Sequence, residues 1–458
     1  MSSPAGTSNI ESSLASISLQ PINFQEIRDF LGPHTDLQVL RHFTTHPLPN
    51  APPGLERAVG IAPDFEWHSQ NPNNIIPQLE GKITQVGYTV FPMCALRECK
   101  KPADFPALLK KASIAHIRVQ DNCHLRSKAR IFVNTECNSL YAPTRFIEEE
   151  EVKTIFKDLL DNQLLEDGSK APVIIIGHGW EHDELQIKNQ WKMKLSKLDS
   201  VVYKVFSLAK LAAQAGIIPF PDRHLGQTYP KFDSLLAGFQ IDMTGMWRHN
   251  GANDAVYQMT LAFAIVHFPM LYPNTPAGRF PTDSSIAGRN IKDLWLELAT
   301  NKGSMPKLAE GVDEFCYRCD AIDDHCADKC PMQENIICEL CSNALGKKNA
   351  DYRKRARGHQ AKRCTLFYNH HVRKFPQWLM DLNISLENLR KLSQGMAVKD
   401  LELIGFVFYT AILQGGPMGN DDIVTLEADE ETRRAREEAL YSDGEPTLVD
   451  DLEAEDVD

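Results

Sequence analysis

Apolar and polar positions along the chain switch between two periods. RAVGIAPDFEW (57–67), ITQVGYTVF (83–91) and AHIRV (115–119), with ARIFV (129–133) close behind, are short and rich in β-branched and aromatic residues, and predict strands. APVIIIGHG (171–179) is a continuous β-branched run ending in glycine, the pattern of a buried parallel strand. EEEEVKTIFKDLLDNQLL (148–165) opens with acids and then carries apolar residues at helical spacing, so its charge suits a helix N-terminus. VVYKVFSLAKLAAQAG (201–216), FDSLLAGFQI (232–241) and NDAVYQMTLAFAIVHF (253–268) predict further helices. Strands, a helix, a strand and then helices imply an α/β layer fold with a mixed sheet.

Outside that block the pattern weakens. Residues 1–55 predict a disordered Ser-rich lead and an arm, in which FQEIRDFLG is briefly helical before the Pro-rich HPLPNAPPG. NPNNIIPQLEG (71–81) is loop by composition, and YPNTPAGRFPTDSS (272–285) opens a linker with helix over 273–310. A Cys/His-bearing basic region is expected at 311–366, a helical segment at 367–416 that packs on one of its neighbours, and an acidic disordered tail at 417–458. Nothing reaches the roughly 18 apolar residues of a membrane span, and the N-terminus lacks a secretory pattern. An intracellular protein, cytoplasmic or nuclear, is therefore expected.

Charge is unevenly placed. The net −12 conceals a segment from Asn420 to Asp458 with 16 acids and three arginines, which leaves the rest near +1. Between Lys347 and Lys374 there are ten Lys/Arg and one Asp. That block comprises Lys347, Lys348, Arg353, Lys354, Arg355, Arg357, Lys362 and Arg363, with two more basic residues beyond, and suggests an anionic partner. A solvated loop or a nuclear-import signal would have the same composition. The acidic tail is a candidate site for protein partners.

Three acidic elements suggest chemistry. Alternation puts Asp64 and Glu66 on one face of a strand. Two adjacent carboxylates repel unless a cation lies between them. Asp183 follows the buried VIIIG run, where open α/β sheets place ligands. His249 and Asp254 stand five apart at the entry to an apolar helix. Each element alone is weak.

As an ordered set, D-x-E after a first strand, G-H-x-x-x-x-D after a buried strand and H-x-x-x-x-D opening a helix resemble the DEDDh 3′–5′ exonucleases, a ribonuclease H-like family. SLLAGFQI followed by HNGANDAVYQ is similar to a fungal exonuclease-like branch. The resemblance covers about residues 56–272. It implies a two-metal hydrolase that releases nucleoside monophosphates from a 3′ end. Asp64, Glu66, Asp183 and Asp254 would hold two Mg²⁺ or Mn²⁺ ions, hard cations that prefer carboxylate oxygen. By the same resemblance Asp64 would bridge both ions, Glu66 and Asp254 would complete one shell, and Asp183 would reach the other through water. His249 would deprotonate the attacking water. His182 before Asp183, Gln85 where the family carries an acid in the second strand, and a stretch resembling an insertion between Val90 and Ile131 depart from the pattern. They leave open a non-catalytic nucleic-acid adaptor with a retired core.

Seven of 11 cysteines fall between Cys316 and Cys364. Cys316, Cys319, His325 and Cys330 resemble a CCHC zinc knuckle with one extra residue in the middle gap. Cys338, Cys341, His359 and Cys364 have a knuckle's ends around a long insert. With Cys326 the segment offers nine donors where two tetrahedral zinc sites need eight, so His325 or Cys326 is spare. Sequential pairing is preferred to a cross-brace. The knuckle-like units, with Tyr317 as a stacking face, and the basic run favour single-stranded RNA as the substrate. A DNA-processing exonuclease with a zinc-dependent interaction module is the rival reading. His370, His371, Cys94, Cys99, Cys123 and Cys137 are assigned no role.

Overall fold

The computed structural model describes residues 21–68, 81–125, 138–222, 224, 227–305, 307–342, 353–354 and 356–364. The expected strand at 129–133, the helical segment and the acidic tail lie outside them. The described residues fall into two compact units, one carrying those up to Phe315 with 322–324, the other Cys316–Ala321 and those from His325 onward.

The first unit is built on a six-stranded sheet: β1 (Val59–Trp67), β2 (Ile83–Pro92), β3 (Ser113–Val119), β4 (Thr144–Ile147), β5 (Val173–Ile176) and β6 (Val201–Val205), in the order β4-β3-β2-β1-β5-β6. β1, β2 and β3 pair antiparallel, while β4, β5 and β6 each join parallel to a neighbour. Around the sheet lie α1 (Phe24–Leu31), α2 (Asp36–His42), α3 (Phe105–Leu109), α4 (Glu149–Asp161), α5 (Trp180–Trp191), α6 (Leu208–Gln214), α7 (Phe232–Gly238), α8 (Gly251–Val266), α9 (Phe268–Leu271) and α10 (Ile291–Thr300). This is the mixed-sheet α/β architecture that the pattern predicts and the ribonuclease H-like fold that the resemblance implies. Among the described residues no helix is long and apolar enough to cross a membrane.

Two cores sandwich the sheet. On one face, Ile61 and Phe65 of β1 and Val173 and Ile175 of β5 join Phe156 of α4 and Trp180 and Trp191 of α5. On the other, Ala62, Ile174 and Ile176 meet α1, α2, α6, α8 and α10. β5 is buried on both faces, which explains its unbroken apolar run. Every residue of α8 is buried, and it packs on β1 and β2, with α6 and α2 among its other neighbours. A helix enclosed on all sides is apolar all round.

Three expectations need correction. VVYKV is strand β6 rather than the start of a helix. Its β-branched residues pair with β5, and the Ser207 side chain caps α6 by accepting from the Lys210 N–H. The 21–55 arm contains α1 and α2, whose Ile27, Leu31, Leu37, Val39 and Leu40 are buried in the main core. Burial of such side chains contributes roughly 1.5–3 kcal/mol each, so this segment is structural. The expected linker likewise contains α10, which buries Trp295 and Leu298 in the same core. β4 was absent from the sequence reading.

Candidate active site and Cys/His groups

β1 carries both acids of the D-x-E pair on the face toward α8. In the register, Asp64 lies opposite Gly87 and Glu66 opposite Gln85. Gly87 is required there: a Cβ at that position would lie 1.9 Å from both Ala252 N and Gly251 C. Bare backbone on β2 thus lets the first turn of α8 approach the sheet. The Asn250 side chain caps that turn by accepting from the Asn253 N–H.

The chain bends into α8 through His249, which adopts a left-handed φ of 57°. Its N–H donates to Asp254 Oδ2 at 2.8 Å, and Arg248 Nε donates to Asp254 Oδ1 at 2.7 Å. The His249 carbonyl accepts from Gln85 Nε2 at 3.2 Å. Gln85 Oε1 lies 2.9 Å from His116 Nε2, and His116 Nδ1 lies 2.8 Å from Thr144 Oγ1. Burial pushes the His116 imidazole down to about 3, so it is neutral in this chain of contacts. Gln85, where the family carries an acid, therefore supports the turn at His249.

One turn beyond Asp254, Gln258 reaches both central strands. Its Oε1 accepts from the His178 N–H at 2.9 Å, just past β5, which turns Nε2 toward Asp64 Oδ1 at 2.8 Å. Asp64 Oδ2 is buried and has no hydrogen-bond partner among the described residues. Asp183 lies buried in the first turn of α5, after Gly179 at φ 73°.

These acids lie in one cleft of about 810 Å³. Asp64, Glu66, Asp183, His249 and Asp254 line it, with Trp67, Phe206, Tyr229 and Phe232 as aromatic wall and Lys210, Lys231 and Arg248 as cations. Ligand atoms of Glu66, His249 and Asp254 lie within 4.8 Å of one another. His249 Nδ1 faces Glu66 Oε1 at 3.5 Å, a contact that raises the imidazole above its usual range. Burial raises Asp64 well above an ordinary carboxylate, and the charges of Asp254, Asp183 and Glu66 add to it. Asp183 is raised by burial and by Glu66, and Asp254 is pushed up to about 6, chiefly by burial. A cation would reverse the charge part of these shifts, and the orphaned Asp64 oxygen is a ready ligand for it.

Residues 59–265 match the family model DEDDh_C, described as the DNA polymerase III subunit epsilon-like C-terminal domain. Over these residues the chain is similar to the DEDDh exonuclease family. No curated protein matches the chain. The exonuclease family brings with it hydrolytic nuclease chemistry, divalent metals and a nucleic-acid substrate. The structure brings the acids and His249 named from the sequence into one cleft, together with Gln258 and Arg248, which the sequence did not single out, and it gives Gln85 a supporting contact. Gln258 stands at i+4 from Asp254, on the same helix face, which is the one signal that marked it.

In the second unit the structure assembles two sequential groups. Cys316, Cys319, His325 and Cys330 have ligand atoms within 4.8 Å of one another, and so do Cys338, Cys341, His359 and Cys364. Cys319 Sγ lies 3.3 Å from His325 Nε2, and Cys341 Sγ 3.2 Å from Cys364 Sγ. Tetrahedral zinc, with Zn–S of about 2.3 Å and Zn–N of about 2.0 Å, sets ligand edges of roughly 3.5–3.8 Å, near these distances. Cys326 stands outside both groups. The groups are tied together by Arg363, which donates to Asp320 Oδ1 at 2.5 Å and to the Tyr317 carbonyl, and by Gly358 N–H to Ile336 O.

Of the basic run, Arg353, Lys354 and Arg357 are exposed. Arg363 is largely enclosed by its pairing with Asp320, so it serves the fold rather than an anion. Lys347, Lys348 and Arg355 lie outside the described residues, and Lys362 lies in a short 3₁₀ turn. The Arg318 guanidinium lies 5.8 Å from the centroid of the Tyr317 ring.

Proposed function

We propose that the chain is a divalent-metal-dependent 3′–5′ exonuclease that releases nucleoside monophosphates, with RNA preferred to DNA. The observation that supports it is the carboxylate cluster, in which Asp183 and Asp254 are buried and the buried Asp64 Oδ2 has no hydrogen-bond partner among the described residues. Asp64, Glu66, Asp183 and Asp254 would hold two Mg²⁺ or Mn²⁺ ions. Such ions, when bound, stabilise the leaving oxygen and acidify water. His249 accepts the proton of the attacking water at Nε2, while Glu66 beside Nδ1 orients the ring. The aromatic wall and the lysines of the cleft take the terminal base and its phosphate.

The two Cys/His groups would each hold one structural Zn²⁺. Exposed Arg353, Lys354 and Arg357 would then contribute a sequence-independent hold on RNA. Preference for RNA rests on these groups and not on the cleft.

The test is incubation of the purified chain with single-stranded RNA and DNA, labelled at either end, with and without added Mn²⁺. Shortening from the 3′ end that requires Mn²⁺ and is lost in Asp64→Ala is expected. Preference for DNA would overturn the RNA assignment. Failure to shorten either strand would leave a nucleic-acid adaptor in its place.

A further inference from the structure

The acid cluster already contains a cation of its own. Arg248 directly precedes His249, and its side chain is only 18% exposed. Nε binds Asp254 Oδ1 at 2.7 Å, Nη1 meets Asp233 Oδ1, and the guanidinium lies 4.8 Å over the Phe232 ring. Phe232 is in turn backed by the His178 ring at 5.4 Å. The two oxygens of Asp254 are thus both engaged by consecutive residues, Arg248 through its side chain and His249 through its backbone.

These two contacts differ toward an incoming metal ion. A backbone N–H is neutral, and a carboxylate oxygen has a second lone pair to give to a metal. A guanidinium within hydrogen-bonding distance of that oxygen repels a divalent ion on it. Arg248 also has somewhere to go. Asp233, at the start of α7, has a side chain 76% exposed, and the Phe232 face continues beneath the guanidinium. An arginine between one buried and one exposed carboxylate can move toward the exposed one without losing its aromatic seat.

Resting on the exonuclease reading, we infer that Arg248 is an exchangeable counter-ion that competes with the divalent metal for Asp254. Without metal it holds the cluster together; with metal it withdraws to Asp233 and Phe232. There it lies in the cleft wall, where a substrate phosphate can bind it. Metal and nucleic acid therefore reinforce each other's binding: an anion that engages the guanidinium keeps it from returning to Asp254.

The experiment is a Mn²⁺ titration of the zinc-loaded full chain, followed by the electron paramagnetic resonance signal of free Mn²⁺, with thermal melting in parallel. Arg248→Met, which keeps length but removes charge, is expected to bind its weaker Mn²⁺ about tenfold more tightly than the unsubstituted chain. The same variant should melt lower than the unsubstituted chain without Mn²⁺ and close to it with saturating Mn²⁺. Asp233→Asn, on an exposed position, removes the seat to which Arg248 withdraws and should weaken Mn²⁺ binding about threefold. Unchanged affinity in both variants overturns the inference while leaving the exonuclease reading intact. Mn²⁺ that fails to bind the unsubstituted chain and Asp64→Ala alike overturns both.

Discussion

Gln258 shows how a neutral side chain can decide the geometry of a charged site. The His178 N–H fixes its amide with Oε1 toward β5, so Nε2 must point at Asp64. One Asp64 oxygen is thereby held and the other left for a ligand. Gln258→Glu would keep an acceptor for the His178 N–H but replace the donor to Asp64 with a like charge. We expect kcat to fall about 10²-fold with KM for the nucleic acid nearly unchanged, since the residue acts on Asp64 and not on the phosphate. Gln258→Ala should lower stability by about 1–3 kcal/mol, because the His178 N–H loses its acceptor. Steady-state kinetics beside thermal melts separate the two effects, and full activity in Gln258→Glu would rule out the clamp. The acids were legible in the sequence because few residue types hold hard cations and their order along the chain is distinctive. Gln258 was not, because an amide inside an apolar helix has no meaning until β1, the end of β5 and α8 converge on it.

At the level of elements, the contact between β2 and α8 positions half of the site. The three atoms nearest a Cβ on Gly87 are all backbone, Ala252 N and Gly251 C and O, so no side chain can turn aside to relieve them. Gly87→Ala must push the first turn of α8 away from the sheet and carry His249 and Asp254 with it. We expect a loss of about 3 kcal/mol in stability, at the upper end for overpacking, and activity near background even where the variant stays folded. Gly216→Ala is the comparison. Gly216 has a positive φ, 70°, but a Cβ there has nothing within 4 Å among the described residues. It should cost about 1 kcal/mol and leave kcat unchanged. Calorimetry and turnover on both variants distinguish a displaced helix from a generally weakened fold. The same scale shows where sequence pattern fell short. Val201, Val202, Val205 and Leu208 satisfy a helical spacing as well as a strand, and only pairing with β5 and the Ser207 cap separate β6 from α6. In α1 and α2 the apolar positions were visible, but the Pro-rich stretch after them suggested an arm. Their destination in the core depends on contacts distant in sequence, such as the Tyr203 hydroxyl donating to Asp36 Oδ1 at 2.9 Å.

For the whole molecule, buried imidazoles and buried carboxylates respond to acid in opposite directions, and metal shifts the balance. Burial pushes His116 down to about 3 and His178 and His267 down to about 4. In the unfolded chain each titrates near 6.5, so from about pH 6.5 down to about 4 the unfolded state binds more protons. The stability these residues contribute is complete above about pH 6.5 and is lost as pH falls, with a slope approaching about 4 kcal/mol per pH unit for all three. Asp64, Asp183 and Asp254 have folded values raised above the unfolded range, with Asp254 at about 6. In the metal-free protein their ionisation weakens the fold as pH rises through their raised values, about 6 for Asp254, and protonation on acidification restores it, which partly offsets the histidines. A divalent ion keeps these carboxylates ionised and removes that offset. Mn²⁺ should therefore raise Tm strongly at pH 7.5 and little at pH 5. The metal-loaded protein should also lose stability more steeply between those values than the metal-free one. Calorimetric scans at both pH values, with and without Mn²⁺, measure this directly. His116→Gln should reduce the acid slope by about one proton in either state. A Mn²⁺ effect equal at the two pH values would mean that the cleft acids do not titrate as a cluster, and the charge argument for metal at this site would fail with it.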